Sequence, residues 1–521
     1  MNILDRFHVH ARTSPTRLAL ATRDRIYTYG QAAEVVSRLA GALAALGVQR
    51  GDRVALMLPN TPEFIWSTYA AWKLGAVQVA INVMYKERET AHLLGDSGAK
   101  VVITAPEFLP IVLKVRDRLP ELRHTIVVGS REGDLSYERL VEQALPWTEC
   151  ADMQPDDLAV IAYTSGTTGV PKGAMLTHGN FLFQLETYRT HFGMASDDHT
   201  ITALPLFLLS IILMGPVFSH YLGSLAVLQH RFEAEEYAAL IKRWRPTFLG
   251  ASVPTMYYDL TQLPREKLDL SSVRVASFGG ATMPVPLRRE FEEKFGFRLT
   301  YAYGGTETTA HVTADPLDRP NKPESPGVPL PGRKVRIVDD ENRPLPPGEV
   351  GEICSWGPMV MKGYWNLPDA TAAALQDGWF HSGDMGYLDE DGFIYIVDRK
   401  QDVINRGGFK IFPIEIEKLL YEDPRVRECA VIGVPHPRLG EVPKAFIVLR
   451  EGAQATPEEF INLTRSQLAN YKALSEVEFR TELPKSPLLK ILRRELRREA
   501  LEKAAAGQGS GAPSPGKGTR T

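Results

Sequence analysis

Residues 163–178 read YTSGTTGVPKGAMLTH, a stretch rich in glycine and small hydroxyl side chains around one lysine. Successive backbone N–H groups of glycine-rich chain form an anion-binding concavity. Hydroxyl groups add rotatable hydrogen-bond donors, and lysine adds a flexible point charge. The stretch therefore predicts a loop that binds a nucleotide's phosphates, made of Thr164, Ser165, Gly166, Thr167, Thr168, Gly169 and Lys172.

The spacing around the lysine differs from the P-loop, in which glycine precedes the lysine and Ser or Thr follows it. Here Pro171 precedes Lys172 and Gly173 follows it. A flexible surface loop is the alternative interpretation. The apolar run at residues 157–163 favours phosphate binding, because it is typical of a buried strand that leads into the loop.

The stretch resembles the phosphate loop of the acyl-adenylate-forming superfamily, which includes acyl-CoA synthetases, adenylation domains of nonribosomal peptide synthetases and luciferases. The resemblance runs from about Thr28 to about Arg497 and is closest to bacterial fatty-acid–CoA ligases. It implies an acid–CoA ligase that uses ATP, Mg²⁺ and coenzyme A. Acyl-AMP and pyrophosphate form first, and acyl-CoA and AMP follow. The implied acid is a medium- or long-chain fatty acid. The alternatives are an aryl acid, a carrier-protein thiol as acceptor, and a degenerate relative that binds ATP or acyl chains with low turnover.

Size and composition are those of an ordinary globular enzyme. A chain of 521 residues is too long for one compact core, and its net charge of −3 disfavours nucleic-acid binding. Three scattered cysteines without a CxxC pair argue against a disulfide framework and fit a reducing cytosol, so a cytoplasmic location is expected. The oligomeric state, monomer or homodimer, stays open.

The most apolar run, residues 206–218, reads LFLLSIILMGPVF. It is shorter than the roughly 20 residues of a membrane span, and Pro216 interrupts it. The N-terminus lacks the apolar core of a signal peptide. The run therefore predicts a buried helix or a pocket wall, and peripheral membrane contact stays open.

Alternating helices and short β-branched strands predict an α/β fold. We expect a large N-terminal domain, residues 1–400, of two parallel-type α/β sheets and a small β-rich subdomain at about 323–400. A smaller mobile α+β domain would follow at residues 401–503. The Gly/Ala/Ser/Pro-rich residues 504–521 would be a disordered tail.

Residues 303–307 read YGGTE and resemble the superfamily's YGxTE motif. The resemblance implies that Tyr303 stacks on adenine, with Gly304 beside it. It also implies that Thr306 contacts the α-phosphate and that Glu307 ligates Mg²⁺ through a hard oxygen. A turn that ends in a solvated carboxylate is the alternative. The preceding turn would border the adenine and the acyl pocket; it comprises Gly279, Gly280 and Ala281.

Three further positions match the superfamily. Asp384 and Arg399 would hold the ribose, because a carboxylate can accept both hydroxyl donors. Lys490 would be the C-terminal lysine that bridges the carboxylate, the ribose and the α-phosphate. Gly407 and Gly408 would line the pantetheine channel after the C-terminal domain rotates about Gln401. Each position also has an ordinary structural interpretation. Asp384 could be a β-turn aspartate, Lys490 one cation of a basic helix, and Gly407 and Gly408 part of a plain hairpin.

The acyl pocket is expected at residues 206–214, 253–257 and 279–281, whose apolar character favours a fatty or aryl tail. Its candidate wall residues are Phe207, Leu208, Val253, Tyr257 and Gly279. Leu208 departs from the superfamily, which carries a histidine there, and this puts carboxylate orientation in question. Leu489 stands where a glycine usually precedes the lysine, so the loop of Lys490 would be less mobile.

Overall fold

The computed structural model describes residues 2–130, 135–164, 170–407, 409–486 and 491–508. The chain divides into two compact units. The first comprises Met1–Glu349, Ile353–Ser382 and Leu388–Tyr395. The second comprises Val350–Glu352, Gly383–Tyr387 and Ile396–Thr521, so its main part begins shortly before the predicted boundary at residue 401.

The first third of the chain alternates helices with short strands. Its elements are α1 (Asp5–Thr13), β1 (Leu18–Ala21), β2 (Ile26–Thr28), α2 (Tyr29–Ala45), β3 (Arg53–Met57), α3 (Pro62–Lys73), β4 (Val77–Ala80), α4 (Glu87–Ser97), β5 (Ala99–Thr104), α5 (Leu109–Arg116), β6 (His124–Val127), β7 (Leu135–Ser136), α6 (Tyr137–Gln143) and β8 (Leu158–Thr164).

The middle of the chain continues this alternation. Its elements are β9 (Lys172–Thr177), α7 (His178–His191), β10 (Thr200–Thr202), α8 (Leu209–Ile212), α9 (Phe218–Leu222), β11 (Ala226–Leu228), α10 (Ala234–Trp244), β12 (Phe248–Ser252), α11 (Pro254–Gln262), β13 (Val275–Phe278), α12 (Val285–Phe295), β14 (Leu299–Gly305), β15 (Ala310–Ala314) and β16 (Val328–Pro329). A π-helical turn, Leu213–Val217, joins α8 to α9, and 3₁₀ turns span Arg265–Lys267 and Thr306–Thr308.

The last third is richer in strands. Its elements are β17 (Lys334–Val338), β18 (Gly351–Trp356), β19 (Gly363–Tyr364), α13 (Pro368–Ala374), β20 (Leu375–Gln376), β21 (Trp379–Leu388), β22 (Ile394–Arg399), β23 (Ile404–Arg406), β24 (Phe409–Ile411), α14 (Pro413–Tyr421), β25 (Val426–His436), β26 (Gly440–Leu449), α15 (Pro457–Gln467), β27 (Glu476–Phe479) and α16 (Arg493–Gln508). A 3₁₀ turn spans Asn470–Lys472. Helix α16 continues past Ala504, so the first residues of the segment predicted to be disordered are helical.

Two large sheets dominate the first unit. Their strand orders are β19-β9-β8-β4-β3-β5-β6-β7 and β16-β15-β14-β13-β12-β10-β11-β1-β2. The inner pairs β3–β4, β3–β5 and β4–β8, like β12–β13 and β13–β14, are parallel. Antiparallel pairs β8–β9 and β14–β15 lie nearer the edges, and each carries one of the nucleotide motifs. The predicted α/β class with parallel-type sheets is confirmed.

Helix α3 is the layer between the two sheets. Every residue of Pro62–Lys73 is buried, as is typical of a helix in the interior. On one side Trp72 Nε1 donates to the carbonyl oxygen of Ala159 in β8 at 2.8 Å. On the other side the Tyr69 hydroxyl contacts Nδ1 of His220 in α9 at 2.7 Å. These two bonds tie α3 to β8 and to α9, although Nε1 of Trp66 in the same helix has no hydrogen-bond partner among the described residues.

The apolar run at residues 206–218 forms α8, the π-helical turn and the start of α9, as predicted for a buried helix. Its helical residues from Leu209 on are buried apart from Ser210, and Pro216 lies inside the π turn. Gly215 there departs from helical backbone, with φ −94° and ψ −106°. Among the described residues no helix combines the length and apolarity that a bilayer span requires.

The second unit is an α+β fold around a sheet of order β24-β23-β26-β25, with β27 beside β26. Side chains of β25 alternate between two cores, as the pleat of a strand requires. Cys429 and Val431 pack with residues of α14 and α15, such as Ile416 and Phe460. Ala430 and Ile432 pack with residues that include Leu496 of α16.

Candidate active site

The predicted phosphate loop is the tip of the β8–β9 hairpin. Thr164 pairs with Lys172 and Tyr163 pairs with Gly173 in antiparallel register. A Cβ on Gly173 would lie 2.6 Å from Cγ2 of Ile161, so close pairing here requires glycine. The tip residues predicted to bind phosphate lie outside the described residues; they are Ser165, Gly166, Thr167, Thr168 and Gly169.

The base of this hairpin is fixed by side chains from other elements. The Tyr163 hydroxyl donates to Oδ2 of Asp96 at 2.6 Å, and the nearby His92 ring contacts the Pro171 carbonyl oxygen at 3.0 Å. Burial, and then Asp96, raises the pKa of Tyr163 well above its usual value, so its hydroxyl stays protonated and donates. The backbone N–H of Trp365 donates to the Gly173 carbonyl oxygen at 2.7 Å. Lys172 and Thr164 thus stand on a rigid support.

Glu307 lies beside this hairpin, where its carboxylate contacts Thr164 and Tyr364. Oε1 of Glu307 accepts a hydrogen bond from the Thr164 hydroxyl at 3.4 Å and one from the Tyr364 hydroxyl at 3.0 Å. Nζ of Lys172 lies 5.2 Å from the centroid of the Tyr364 ring, within cation–π range. The structure therefore brings together Thr164, Lys172 and Glu307, which are far apart in sequence.

Sequence reasoning missed Tyr364. Strand β19 pairs Tyr364 with Ala174 and Gly363 with Met175 of β9, and this pairing carries the tyrosine to Lys172. The only local signal is a glycine followed by two aromatic residues at 363–365. Without the strand pairing, that signal predicts packing and no particular site.

These side chains fit a magnesium ion that is bound mainly by phosphates. Mg²⁺ prefers oxygen ligands and usually takes one or two carboxylates together with substrate phosphates and water. Glu307 supplies such a carboxylate, with hydroxyl oxygens next to it. Across the described ranges no group of three acidic, histidine or cysteine side chains could form a protein-only metal cage. Glu307 is the residue that would hold the ion, as the sequence suggested.

The backbone around Thr306 and Glu307 is tightly constrained. A β-bulge interrupts the β14–β15 pairing between Tyr303 and Gly304, and a Cβ on Gly304 would clash with the carbonyl oxygen of Ala310. After the 3₁₀ turn, Thr309 and Ala310 have positive φ angles of 49° and 78°. Such angles are uncommon outside glycine and cost energy, and they cluster at functional sites. Here they fix where Thr306 and Glu307 lie.

Neighbouring parallel strands end together at the predicted adenine and acyl site. Val253, Gly279 and Tyr303 lie at or just beyond the carboxyl ends of β12, β13 and β14, an edge at which open α/β sheets bind ligands. Gly279 N–H donates to the Ser252 carbonyl oxygen at 3.1 Å, which holds the first two ends together. Gly280 has φ 76° and is exposed, and Ala281 is half-buried, so the turn faces outward there.

The predicted acyl wall residues lie along the same edge. Val253 and Tyr257 are buried, and the Tyr257 hydroxyl is occupied by the Ser277 carbonyl oxygen at 3.1 Å. Phe207 and Leu208 follow β10, the parallel neighbour of β12, and are half-buried. These side chains thus follow neighbouring parallel strands of one sheet, and the acyl pocket itself stays a prediction.

A buried histidine, His311 in β15, was not predicted. Its side chain lies beside Gly279: Nε2 is 3.7 Å from the position that a Cβ on Gly279 would take. Burial, then the nearby Arg333 and His191, lowers the pKa of His311 to about 3, so the ring is neutral at physiological pH. Nothing in the local sequence, AHVT, distinguishes it from an ordinary core histidine.

The predicted ribose pair lies in the second unit. Nε of Arg399 lies 2.8 Å from Oδ1 of the nearly buried Asp384. Gly383, with φ 71°, precedes Asp384, and its N–H donates to Oε1 of Glu352 at 3.0 Å. The Gly383 carbonyl oxygen accepts from the N–H of Lys400 at 2.9 Å. The structure brings the aspartate and the arginine together, and the surrounding bonds fix the turn that carries them.

Two predictions on the second unit fall partly or wholly outside the described residues. Gly407, with φ 60°, is in the turn of the β23–β24 hairpin, and its N–H donates to the Leu439 carbonyl oxygen at 2.7 Å. Gly408 and Lys490 lie outside the described residues. The hairpin is present, and a left-handed glycine at its turn is compatible both with a plain hairpin and with a lining of the pantetheine channel.

Within the second unit, arginines of α16 form ion pairs with acidic residues on either side of the predicted hinge, Gln401. Nη2 of Arg493 lies 2.6 Å from Oε2 of Glu417, and its Nη1 lies 3.8 Å from Oδ1 of Asp398. Nη1 of Arg497 lies 3.5 Å from Oδ1 of Asp402. Burial raises the pKa of Asp398 to about 6, against the effect of Arg493. Sequence reasoning saw only a basic helix here, because the acidic partners come from distant segments.

Comparison with known proteins agrees with this geometry. The profile of the family described as "AMP-binding enzyme" matches residues 7–365, and that of "AMP-binding enzyme C-terminal domain" matches residues 415–490. A feruloyl-CoA synthase of Amycolatopsis sp is 39% identical over 499 residues, 94% of this chain and 97% of that protein. A long-chain-fatty-acid–CoA ligase of Bacillus subtilis (strain 168) is 36% identical over 520 residues, 94% of this chain and 92% of that protein.

A solved structure shows the same fold with ligands bound. The o-succinylbenzoate coenzyme A synthetase of Bacillus subtilis, in complex with ATP and magnesium ion, matches with a TM-score of 0.84 and 32% identity, over 94% of this chain and 99% of that one. The chain belongs to the AMP-binding enzyme family. Within the family it is an AMP-forming acid–CoA ligase.

Proposed function

We propose that the chain activates an apolar-tailed carboxylic acid with ATP and Mg²⁺ and transfers the acyl group to coenzyme A. The observation that carries this proposal is the cluster of Thr164, Lys172, Tyr364 and Glu307 at the base of a glycine-rich tip. In-line attack of a carboxylate on the α-phosphate needs charge neutralisation and positioning more than covalent chemistry. The cluster supplies a cation, hydroxyl groups and a carboxylate for this purpose.

Each residue of the cluster has one role in this proposal. Lys172 and the tip hydroxyls hold the β- and γ-phosphates, which leave as pyrophosphate. Lys172 is therefore a leaving-group clamp and not a base. Magnesium, when bound, would neutralise the phosphate charge, and Glu307 would hold it with Oε1 oriented by Thr164 and Tyr364. Thr306, which the strained turn at Thr309 fixes, would contact the α-phosphate.

Further residues would serve the rest of the nucleotide and the second half-reaction. Tyr303 would stack on adenine, and Asp384 and Arg399 would hold the ribose hydroxyls; their 2.8 Å contact fixes the carboxylate in place. Lys490 would bridge the reacting carboxylate and the α-phosphate. Gly407 and Gly408 would leave room for the thin pantetheine arm.

The acid is a medium- or long-chain fatty acid or an aryl acid, and both have support. The buried apolar wall of Val253 and Tyr257 suits either tail. Relatives of similar identity are named for each class, at 36% for the long-chain ligase and 39% for the feruloyl enzyme. A small dicarboxylic acid is disfavoured, because a second buried carboxylate would need a cation partner in the pocket.

Product analysis tests the proposal. The purified chain would be incubated with ATP, Mg²⁺ and coenzyme A and with octanoate, dodecanoate, palmitate, benzoate or 4-hydroxy-3-methoxycinnamate. Chromatography and mass spectrometry would follow AMP, pyrophosphate, acyl-AMP and acyl-CoA. We expect one class to give acyl-CoA and AMP in equal amounts. Release of ADP, or no product with any acid despite ATP binding, would overturn the proposal in favour of a non-turnover relative.

A second experiment identifies the thiol that accepts the acyl group. The same reaction would be run with a phosphopantetheinylated carrier protein in place of coenzyme A. Thioester formed on coenzyme A at a higher kcat/KM supports the ligase assignment. Thioester formed only on the carrier protein would show an acyl-AMP ligase that loads carriers.

A further inference from the structure

His311 is a polar side chain set in the apolar acyl wall of the first unit. It is only 8% exposed, and its Nδ1 has no hydrogen-bond partner among the described residues. Leaving a buried polar atom without a partner costs free energy, and the cost is lower for a bare acceptor than for an N–H group. The role inferred below for the other ring nitrogen, Nε2, rests on the function proposed above.

Contacts to the backbone and to the ring of His311 fix the position of its imidazole. The His311 carbonyl oxygen accepts hydrogen bonds from Nε2 of Gln184, at 3.1 Å, and from Nη1 of the buried Arg333. The Tyr188 ring packs edge-on against the imidazole, with centroids 5.6 Å apart. Strand pairing places His311 opposite Gly304 of the nucleotide motif. The imidazole is thus a preorganised group and not a free surface side chain.

The proton of the neutral ring belongs on Nε2. A buried N–H without an acceptor is rarer in native structures than a buried acceptor without a donor. The unpartnered Nδ1 is therefore the bare nitrogen, and Nε2 carries the hydrogen. Nε2 lies 3.7 Å from where a Cβ of Gly279 would be, and a residue with a side chain at position 279 would crowd it. The absence of a side chain there leaves the N–H facing the predicted acyl pocket.

The group that meets this N–H belongs to the tail of the acid and not to its carboxylate. Gly279 is bonded to Ser252, and the wall residues Val253 and Tyr257 follow in sequence. The reacting carboxylate is expected instead at Thr306 and Glu307, in the turn that follows β14, whereas Nε2 of His311 lies beside Gly279 after β13. The Tyr257 hydroxyl is already bonded to Ser277, which leaves His311 as a donor without a partner in this wall.

We propose that the Nε2–H of His311 donates a hydrogen bond to an oxygen atom on the tail of the bound acid. His311 is then a specificity-determining residue, and the preferred substrate is an acid whose tail carries a hydroxyl, methoxy or carbonyl oxygen, with hydroxylated arylacrylic acids as the best-fitting class. A site with a buried donor discriminates strongly against an analogue that lacks the acceptor, because the donor is then left unpaired.

The test compares acids that differ by one oxygen. Acid-dependent pyrophosphate release by the full chain gives kcat/KM for 4-hydroxycinnamate and cinnamate, and for 12-hydroxydodecanoate and dodecanoate. The wild type should prefer the oxygenated member of at least one pair by about tenfold or more. His311→Leu should remove most of that preference while it changes kcat/KM for the unsubstituted acid less than about threefold. His311→Gln, which keeps an N–H donor, should restore part of it.

Matched controls separate the outcomes. His191, in α7, is a half-buried histidine whose Nε2 is also without a partner among the described residues, and His191→Leu should leave the preference unchanged. If His311→Leu does not fold, His311→Met serves as the apolar variant. An equal loss for both members of each pair would overturn the proposal and assign His311 to the carboxylate or to structure, and an unchanged preference would also overturn it. Absence of pyrophosphate release with every acid would instead overturn the ligase function.

Discussion

The Tyr364 hydroxyl donates a hydrogen bond to Oε1 of Glu307 at 3.0 Å, and the ring of the same tyrosine lies 5.2 Å from Nζ of Lys172. One side chain from an edge strand thus contacts both the carboxylate expected to hold magnesium and the cation expected to hold phosphates. Because β19 is paired with β9, the tyrosine cannot move independently of the phosphate hairpin. Tyr364 is therefore a positioning residue for both charges.

Removal of the Tyr364 hydroxyl should weaken magnesium binding. Tyr364→Phe keeps the ring near Lys172 and deletes only the bond to Glu307, so kcat/KM for Mg-ATP should fall about tenfold, as expected for one hydrogen bond to a charged group. The readout is pyrophosphate release over a range of Mg²⁺ concentrations, with the midpoint shifted upward. Tyr364→Ala also removes the ring beside Lys172, so it should lower kcat/KM for Mg-ATP further, and added Mg²⁺ should not restore that further loss. An unchanged magnesium midpoint in Tyr364→Phe would contradict the positioning role.

Gly304 should be far less tolerant of a side chain than its neighbour. A Cβ on Gly304 would clash with the backbone carbonyl of Ala310, whereas on Gly305 its nearest contact is Oε2 of Glu307 at 3.5 Å. Gly304→Ala should lower the free energy of unfolding by roughly 2–4 kcal/mol, and Gly305→Ala by less than about 1 kcal/mol. Urea unfolding at pH 7.5 measures both. Equal destabilisation by the two changes would show that the bulge relaxes freely.

Arg493 should be a main stabiliser of the second unit. Arg493→Met would leave the carboxylates of Glu417 and Asp398 without their cation, and such a loss costs roughly 3–5 kcal/mol. Hydrogen exchange of residues 409–449 reports this locally, with protection lost in α14 and β25. Arg494→Met is the matched control, because Arg494 is 58% exposed and should contribute little. Equal protection in both variants would contradict the assignment.

His220 should make the first unit sensitive to acid. Burial lowers the pKa of His220 to about 4 from 6.5, so the unfolded chain takes up the proton more readily. Its contribution to stability is present above about pH 6.5 and is lost as the pH falls towards about 4. Between pH 7.5 and pH 5.0 the wild type should lose about 2 kcal/mol more than His220→Gln. Urea unfolding at both pH values measures the free energy of unfolding. An equal loss of stability in the wild type and in His220→Gln would contradict the depressed pKa of His220.

The sequence predicted the fold well where periodicity and local chemistry decide structure. The strand expected at residues 157–163 is Leu158–Thr164, and the apolar run at residues 206–218 is the buried helical segment that was expected. Short buried strands and amphipathic or fully apolar helices are set by nearest-neighbour patterns, so a single sequence reveals them. Helix α16 extends to Gln508, into the segment expected to be disordered, because alanine favours helix.

The site was predicted only as far as its motifs reach. Glu307 and Lys172 could be recognised because glycine and hydroxyl residues surround them in sequence. Tyr364, His311 and Arg493 could not, because each gains its role from a partner far away in the chain: a β9 strand, a glycine turn and a buried acidic cluster. Local sequence specifies side-chain type, whereas strand pairing and burial specify which side chains meet.

Acid-dependent exchange of labelled pyrophosphate into ATP, without coenzyme A, tests the central claim most directly. Exchange requires reversible formation of acyl-AMP, so the wild type should exchange label with an apolar acid and not without it. Glu307→Gln, which removes the charge expected to hold magnesium, should lower the exchange rate by about a hundredfold or more while the chain stays folded. Exchange that needs no acid, or that persists unchanged in Glu307→Gln, would contradict the account.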